Sequence, residues 1–178
     1  MSKPVANFPN IEDQWRGLNS VYPYTEYLTF GPWIYMVPQY KPESVLILGF
    51  AGGTTAGFIR QFYGDVPITG VDIDDCSEMN FYDVELIQAD AKEWIKTAPN
   101  YDTIIVDIYG QSEEPPDFIY SKEFVAELES RCNYLIVDAT EKSDMSAYKH
   151  LHKVKTLALN RNRFHYFLID PNVPIPIR

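Results

Sequence analysis

Residues that hold metals are scarce in this chain, which has two cysteines and three histidines among 178 residues. Cys76 and Cys132 lie far apart, outside any zinc-ligand or CxxC spacing, so a zinc module and a disulfide framework have no support. They read as reduced thiols of a cytoplasmic protein. His150 and His152 are two positions apart and would face different directions on a helix, a poor metal pair. Together with His165 they read as surface histidines, and no metal is expected. Positive charge is also short. Fifteen Lys and Arg stand against 25 Asp and Glu, a net charge of −10. A nucleic-acid face needs clustered Lys and Arg against phosphate, so that class is disfavoured. An acidic surface is compatible with a small cationic partner such as an amine. No run of about 18 apolar residues is present, so no membrane span is expected. Met1-Ser2-Lys3-Pro4 lacks the apolar stretch of a signal peptide. There are no repeats, no low-complexity tracts, no Gly-Lys-Ser/Thr phosphate loop and no G-x-S-x-G elbow.

What is present begins with Val45-Leu46-Ile47-Leu48, an apolar run that enters Gly49-Phe50-Ala51-Gly52-Gly53. Such a run reads as a strand buried on both faces. The glycines let backbone approach backbone, or a ligand, where a Cβ would collide. Thr54 to Tyr63 then carries Phe58, Ile59 and Phe62 at helical spacing and stops at Gly64-Asp65. Strand, glycine turn and helix together form a nucleotide-binding βα unit, although the turn does not meet the strict GxGxxG spacing.

Further runs come in order. Ile68 to Asp74 reads as a second strand ending in acid, with Asp74 as the cap of the next turn or helix. The ten or so residues before Val84-Glu85-Leu86-Ile87 leave room for a short helix or none. Asp90 to Lys96 reads as a short helix, and Thr103 to Asp107 as a fourth strand ending in acid. Ser121 can cap a helix that buries Phe124, Val125 and Leu128. Tyr134 to Asp138 is a fifth strand, and Asp144 to His152 is expected to be helical. Val154 to Leu159 and Phe164 to Ile169 flank a hairpin signal at Asn160-Arg161-Asn162-Arg163. The two arginines read as exposed charges. Alternation of this kind means an α/β fold, a mostly parallel seven-stranded sheet with a C-terminal antiparallel hairpin. Its length suits one domain. Residues 1–44 form an aromatic-rich segment, dense in Tyr, Phe and Trp between 21 and 40, that packs over a sheet face and covers the site. Residues 45–178 form the nucleoside-binding α/β domain.

In open α/β sheets ligands sit beyond the carboxyl ends of the strands. That rule selects Gly49 to Gly53, Asp72, Asp90, Asp107 and Asp138. Asp72, about 20 residues past the glycines, can accept hydrogen bonds from both ribose hydroxyls. The plainer reading makes it a helix cap. Asp107 could hold an acceptor and take its proton, or simply bond the amides of the following loop. Tyr27 could orient the acceptor, or pack in the core.

Taken together, these pieces resemble the spermidine-synthase-like branch of the S-adenosylmethionine-dependent methyltransferases. The match runs roughly from Tyr24 to Ala139. Gly70-Val71-Asp72-Ile73-Asp74 is similar to the element whose first acid holds the ribose. Ala89-Asp90-Ala91 resembles the element that contacts adenine, and Tyr101 to Asp107 the strand whose last Asp acts on the attacking amine. Ser121-Lys122-Glu123-Phe124 resembles the opening of the next helix. Tyr27 falls where the family keeps a substrate-side tyrosine. The resemblance implies a Rossmann-like methyltransferase fold with a nucleoside site at Gly49, Phe50, Ala51, Gly52, Gly53, Asp72, Ile73, Asp90, Ala91 and Asp107. It implies Asp107 and Tyr27 as catalytic, and S-adenosylmethionine or its decarboxylated form as co-substrate. Aminopropyltransferases carry Asp at the positions of Gly52 and Gly110, and a β-rich N-terminal domain that is largely missing here. A pocket without the Gly52-position acid suits the carboxylate of intact S-adenosylmethionine. The expectation is therefore methyl transfer to a small acceptor, with aminopropyl transfer and an inactive binding module as alternatives. A homodimer built on the hairpin edge is also compatible with the sequence.

Overall fold

Val45, Leu46, Ile47 and Leu48 are all buried because the strand they form is covered on both sides. The structure, a computed structural model, describes residues 32–110 and 114–172. Among these, seven strands make one sheet: β1 (Val45–Leu48), β2 (Ile68–Asp72), β3 (Glu85–Gln88), β4 (Thr103–Val106), β5 (Tyr134–Thr140), β6 (His152–Leu159) and β7 (Asn162–Leu168). Their order in space is β3-β2-β1-β4-β5-β7-β6. The first five are parallel, and β7 runs against both β5 and β6. The winding reverses between β1 and β4, so a crevice opens at their carboxyl ends.

Alternation along each strand divides the core. Val45, Ile47, Ile105, Ile136, Phe164 and Tyr166 face one side, under helix α1 (Thr54–Tyr63) and the segment from Trp33 to Tyr40. Leu46, Leu48, Ile104, Val106, Leu135 and Val137 face the other, under α2 (Ala91–Trp94) and α3 (Lys122–Glu129). Full burial of such a side chain contributes about 1.5–3 kcal/mol. The aromatic segment is tied to its sheet face by polar tips. Tyr40 bonds Thr103 Oγ1 at 2.9 Å, the Tyr166 hydroxyl donates to the Tyr35 carbonyl, and Tyr35 stacks on Phe164.

Local signals explain most boundaries. Gly64, at φ 68°, ends α1 by donating its N–H to the Arg60 carbonyl. Ser121 caps α3 by accepting from the Phe124 amide at 3.2 Å. The β2–β3 connection has only a 3-10 turn, Ser77–Met79.

Three expectations are corrected. Asp144 to His152 forms only a 3-10 turn, Met145–Tyr148, and His152 already belongs to β6. The carboxylate that opens the turn after β2 is that of Asp75, accepting from the Ser77 amide at 3.0 Å; the Asp74 amide instead donates to Asp72. His165 is buried within β7, where its Nδ1 meets Thr156 Oγ1 at 3.0 Å. Burial, then the charges of Lys153 and Arg163, lower its pKa to about 4.

The outer strand β6 is irregular. Its register slips between Lys153 and Lys155, and both ammonium groups lie over rings of β7, Phe167 and Tyr166. Bulges and lysines on an edge oppose further strand pairing. Among the described residues no helix is long and apolar enough to cross a membrane.

Candidate active site

Register alone builds the site. Leu48 pairs with Val71 on one side and Val106 on the other, and Val106 pairs with Val137. One residue further on, the same row reads Asp72, Gly49, Asp107, Asp138. The ladder continues into it, because the Gly49 amide donates to the Val71 carbonyl and the Asp107 amide to the Leu48 carbonyl, each at 2.8 Å. Residues paired in register share a face, so three carboxyl groups line one row and the glycine leaves a gap within it.

The gap is obligatory. Gly49 has φ +88°, and a Cβ there would lie 2.1 Å from the Asp107 carbonyl oxygen. Ala51 also has a positive φ of 46°. Its amide donates to Asp72 Oδ2 at 2.9 Å, while the Asp74 amide donates to Oδ1 at 3.0 Å. Asp72 thus pins the glycine turn, and each oxygen retains a lone pair for a further donor. Phe50 turns inward and is 2% exposed. Its ring fills the space that a Cβ on Gly53 or Gly70 would occupy, at 2.7 and 2.5 Å. Only the Phe50 backbone can therefore serve a ligand.

The beginning of α1 lacks a side-chain cap and has no acid in its first turn. Thr55 Oγ1 is buried there without a hydrogen-bond partner. A positive dipole end with no acid in its first turn suits an anionic group. Beyond β2, Ile73 is 68% exposed, an apolar surface beside Asp72. Asp90 caps α2 by accepting from the Lys92 amide at 2.9 Å, which occupies one oxygen; Ala91 is buried behind it.

At the other end of the row, Asp138 is 2% exposed. Asn162 Nδ2 reaches both its oxygens, at 3.1 and 3.0 Å, and also reaches Tyr109 Oη at 3.1 Å. Burial raises the Asp138 pKa to about 7, against the pull of Asn162, Tyr109 and Arg161. Asp107 is raised too, by burial first and then by the charges of Asp138 and Asp72. Cys76 sits near the same end of β2, and burial followed by Asp72, Asp74 and Asp75 pushes its thiol up to about 12, so it is not a nucleophile.

The row thus joins Asp72, Gly49 and Asp107 as the sequence suggests, with Ala51, Gly52, Gly53 and Ile73 next to Asp72 or the turn. Tyr27 lies outside the described residues. Asn162 and Tyr109 are not legible in the sequence, since their link to Asp138 arises from a hairpin folding back on β5. Among the described residues no cluster of His, Cys, Asp and Glu is placed to hold a metal ion.

No protein-family profile and no curated protein sequence matches this chain. Solved structures do. Human methyltransferase-like protein 13, in complex with SAH, superposes with a TM-score of 0.64 at 15% identity, over 80% of this chain and 81% of that one. The fold is that of the S-adenosylmethionine-dependent methyltransferases. TrmN from Thermus thermophilus gives 0.56 at 12% identity, over 71% of this chain and 43% of its own. Magnesium protoporphyrin IX methyltransferase from Synechocystis PCC 6803, with bound SAM, gives 0.50 at 14%, over 70% and 69%.

Proposed function

We propose that this protein is an S-adenosylmethionine-dependent methyltransferase acting on a small acceptor. The observation that carries this reading is the row Asp72–Gly49–Asp107 at the winding reversal of a sheet with this fold. Asp72 would hold the ribose through its remaining lone pairs, and Ile73 would lie against the base. Asp90 would offer its second oxygen to the adenine amino group. When bound, the co-substrate supplies a methyl group on a sulfonium, already bonded to a good leaving group. Asp107 would orient the acceptor and receive its proton. Positioning supplies most of the rest.

Intact S-adenosylmethionine is favoured over the decarboxylated form by the start of α1. Gly52 carries no carboxylate to pair with a lone ammonium, and the helix end there is suited to an anion. Aminopropyl transfer, the activity of the spermidine-synthase-like branch, would require the opposite preference. Calorimetry with both nucleosides tests this. Tighter binding of S-adenosylmethionine is expected. Preference for the decarboxylated form would favour aminopropyl transfer, binding without turnover on acceptor mixtures would favour a binding module, and binding of neither would end the proposal.

A further inference from the structure

Proton removal by Asp107 leaves Asp138 without a part in the reaction. A carboxyl group 2% exposed is costly to keep ionised unless it is well partnered. Its partners are one amide nitrogen, Asn162 Nδ2, and the Tyr109 hydroxyl. Its neighbour in the row is another carboxyl, Asp107, carried at the end of the adjacent strand, the two backbones lying about 5 Å apart. Two carboxyl groups so placed resist losing both protons.

Among the described residues, these charged or titratable groups face the pair. Asp72 on β2 adds negative charge to Asp107. Tyr109, on the loop after β4, is held neutral by burial and then by both carboxyls. Tyr120, in the 3-10 turn Asp117–Tyr120, and Tyr166 on β7 are likewise raised, burial first, with Asp138 contributing. Arg161, in the β6–β7 turn, is the one cation among the described residues that acts on Asp138, and it lies 3.7 Å from Glu114, which shares its charge. The balance around the pair is negative.

We infer that Asp107 and Asp138 form a carboxyl pair that keeps one proton in the free protein and gives it up to solvent when a cationic sulfonium binds. The inference rests on the nucleoside-binding reading. One positive charge enters, one proton leaves, and the pair becomes a dianion. The base is then generated by arrival of the methyl donor. In the free protein, and with the neutral thioether product, it stays protonated. Asp138 is the positioning residue and Asp107 faces the substrate.

Calorimetry near neutral pH, in two buffers of different ionisation enthalpy, counts protons exchanged on binding. S-adenosylmethionine should release close to one proton more than S-adenosylhomocysteine does. In Asp138→Asn, which keeps the shape of the side chain, both nucleosides should still bind and that difference should vanish. Asp107→Asn should abolish it as well. Equal proton counts for the two nucleosides in the wild type would overturn the inference, as would a difference that survives in both variants. If neither nucleoside binds the wild type, the functional reading fails first and the inference falls with it. Infrared difference spectra on 13C-aspartate protein give a second readout. A protonated carboxyl band should be present in the free protein and absent from both variants, and its absence from the wild type would refute the shared proton.

Discussion

The α-carbon of Gly49 faces the carbonyl of Asp107 so closely that a methyl group there would come within 2.1 Å of that oxygen. The two residues directly follow adjacent parallel strands and continue their ladder, so neither can retreat without breaking it. Gly49→Ala combines this clash with a φ of +88° that a side chain resists. A loss of about 3 kcal/mol or more is expected, seen as a lower urea midpoint, together with loss of nucleoside binding.

Asp72 and Asp107 lie on either side of Gly49 and should fail differently. Asp72→Ala deprives the Ala51 and Asp74 amides of their acceptor, loosening the turn and removing the proposed ribose partner. Affinity for S-adenosylhomocysteine should fall roughly 10- to 100-fold, since each charge-assisted bond contributes about 1.5–3 kcal/mol. Asp107→Ala should leave that affinity within a few-fold and remove turnover. Equal losses of binding in both variants would contradict the separate roles.

His165 should make the fold sensitive to acid. Its folded pKa is held near 4, below the 6.5 of an unhindered imidazole. Between those values the unfolded chain binds more protons, so stability present above about 6.5 is lost as pH falls toward about 4. Asp138 has the opposite sign. Its raised pKa means the folded chain binds more protons between 3.8 and about 7, and stability falls as pH rises through that range. His165→Gln should flatten the acid loss by about 2 kcal/mol, and Asp138→Asn should steepen it. Urea midpoints from pH 4 to 7 measure both, and parallel profiles for wild type and variants would refute these assignments.

Ser121 offers a test of the helix cap. Ser121→Ala removes the acceptor for the Phe124 amide. A loss of about 1 kcal/mol is expected with no change in nucleoside affinity.

Much of this architecture is legible because buried parallel strands are written as unbroken apolar runs. Val45–Leu48 and Thr103–Val106 can hardly be read otherwise. The edge is harder. Lys153 and Lys155 interrupt the apolar pattern of β6, and the bulge between them destroys the period of two, so the stretch before it passes for helix. Candidate site residues at strand ends follow from topology, which is why Asp72 and Asp107 stand out. Asn162 does not, because its meeting with Asp138 depends on a two-residue turn that brings β7 back along β5. Asp75 takes the role expected of Asp74 because adjacent acids in a turn differ only in backbone direction, which the letters do not specify.

The Phe50 ring touches the glycine turn and the second strand at once. Alanine at position 53 and alanine at position 70 would each have to evict the same aromatic side chain. Once one has done so, much of the damage from the other is already done. The double replacement should therefore be milder than the two single losses combined. For any lineage carrying this chain, the first step away from either glycine is the steep one, and it lowers the threshold for the second.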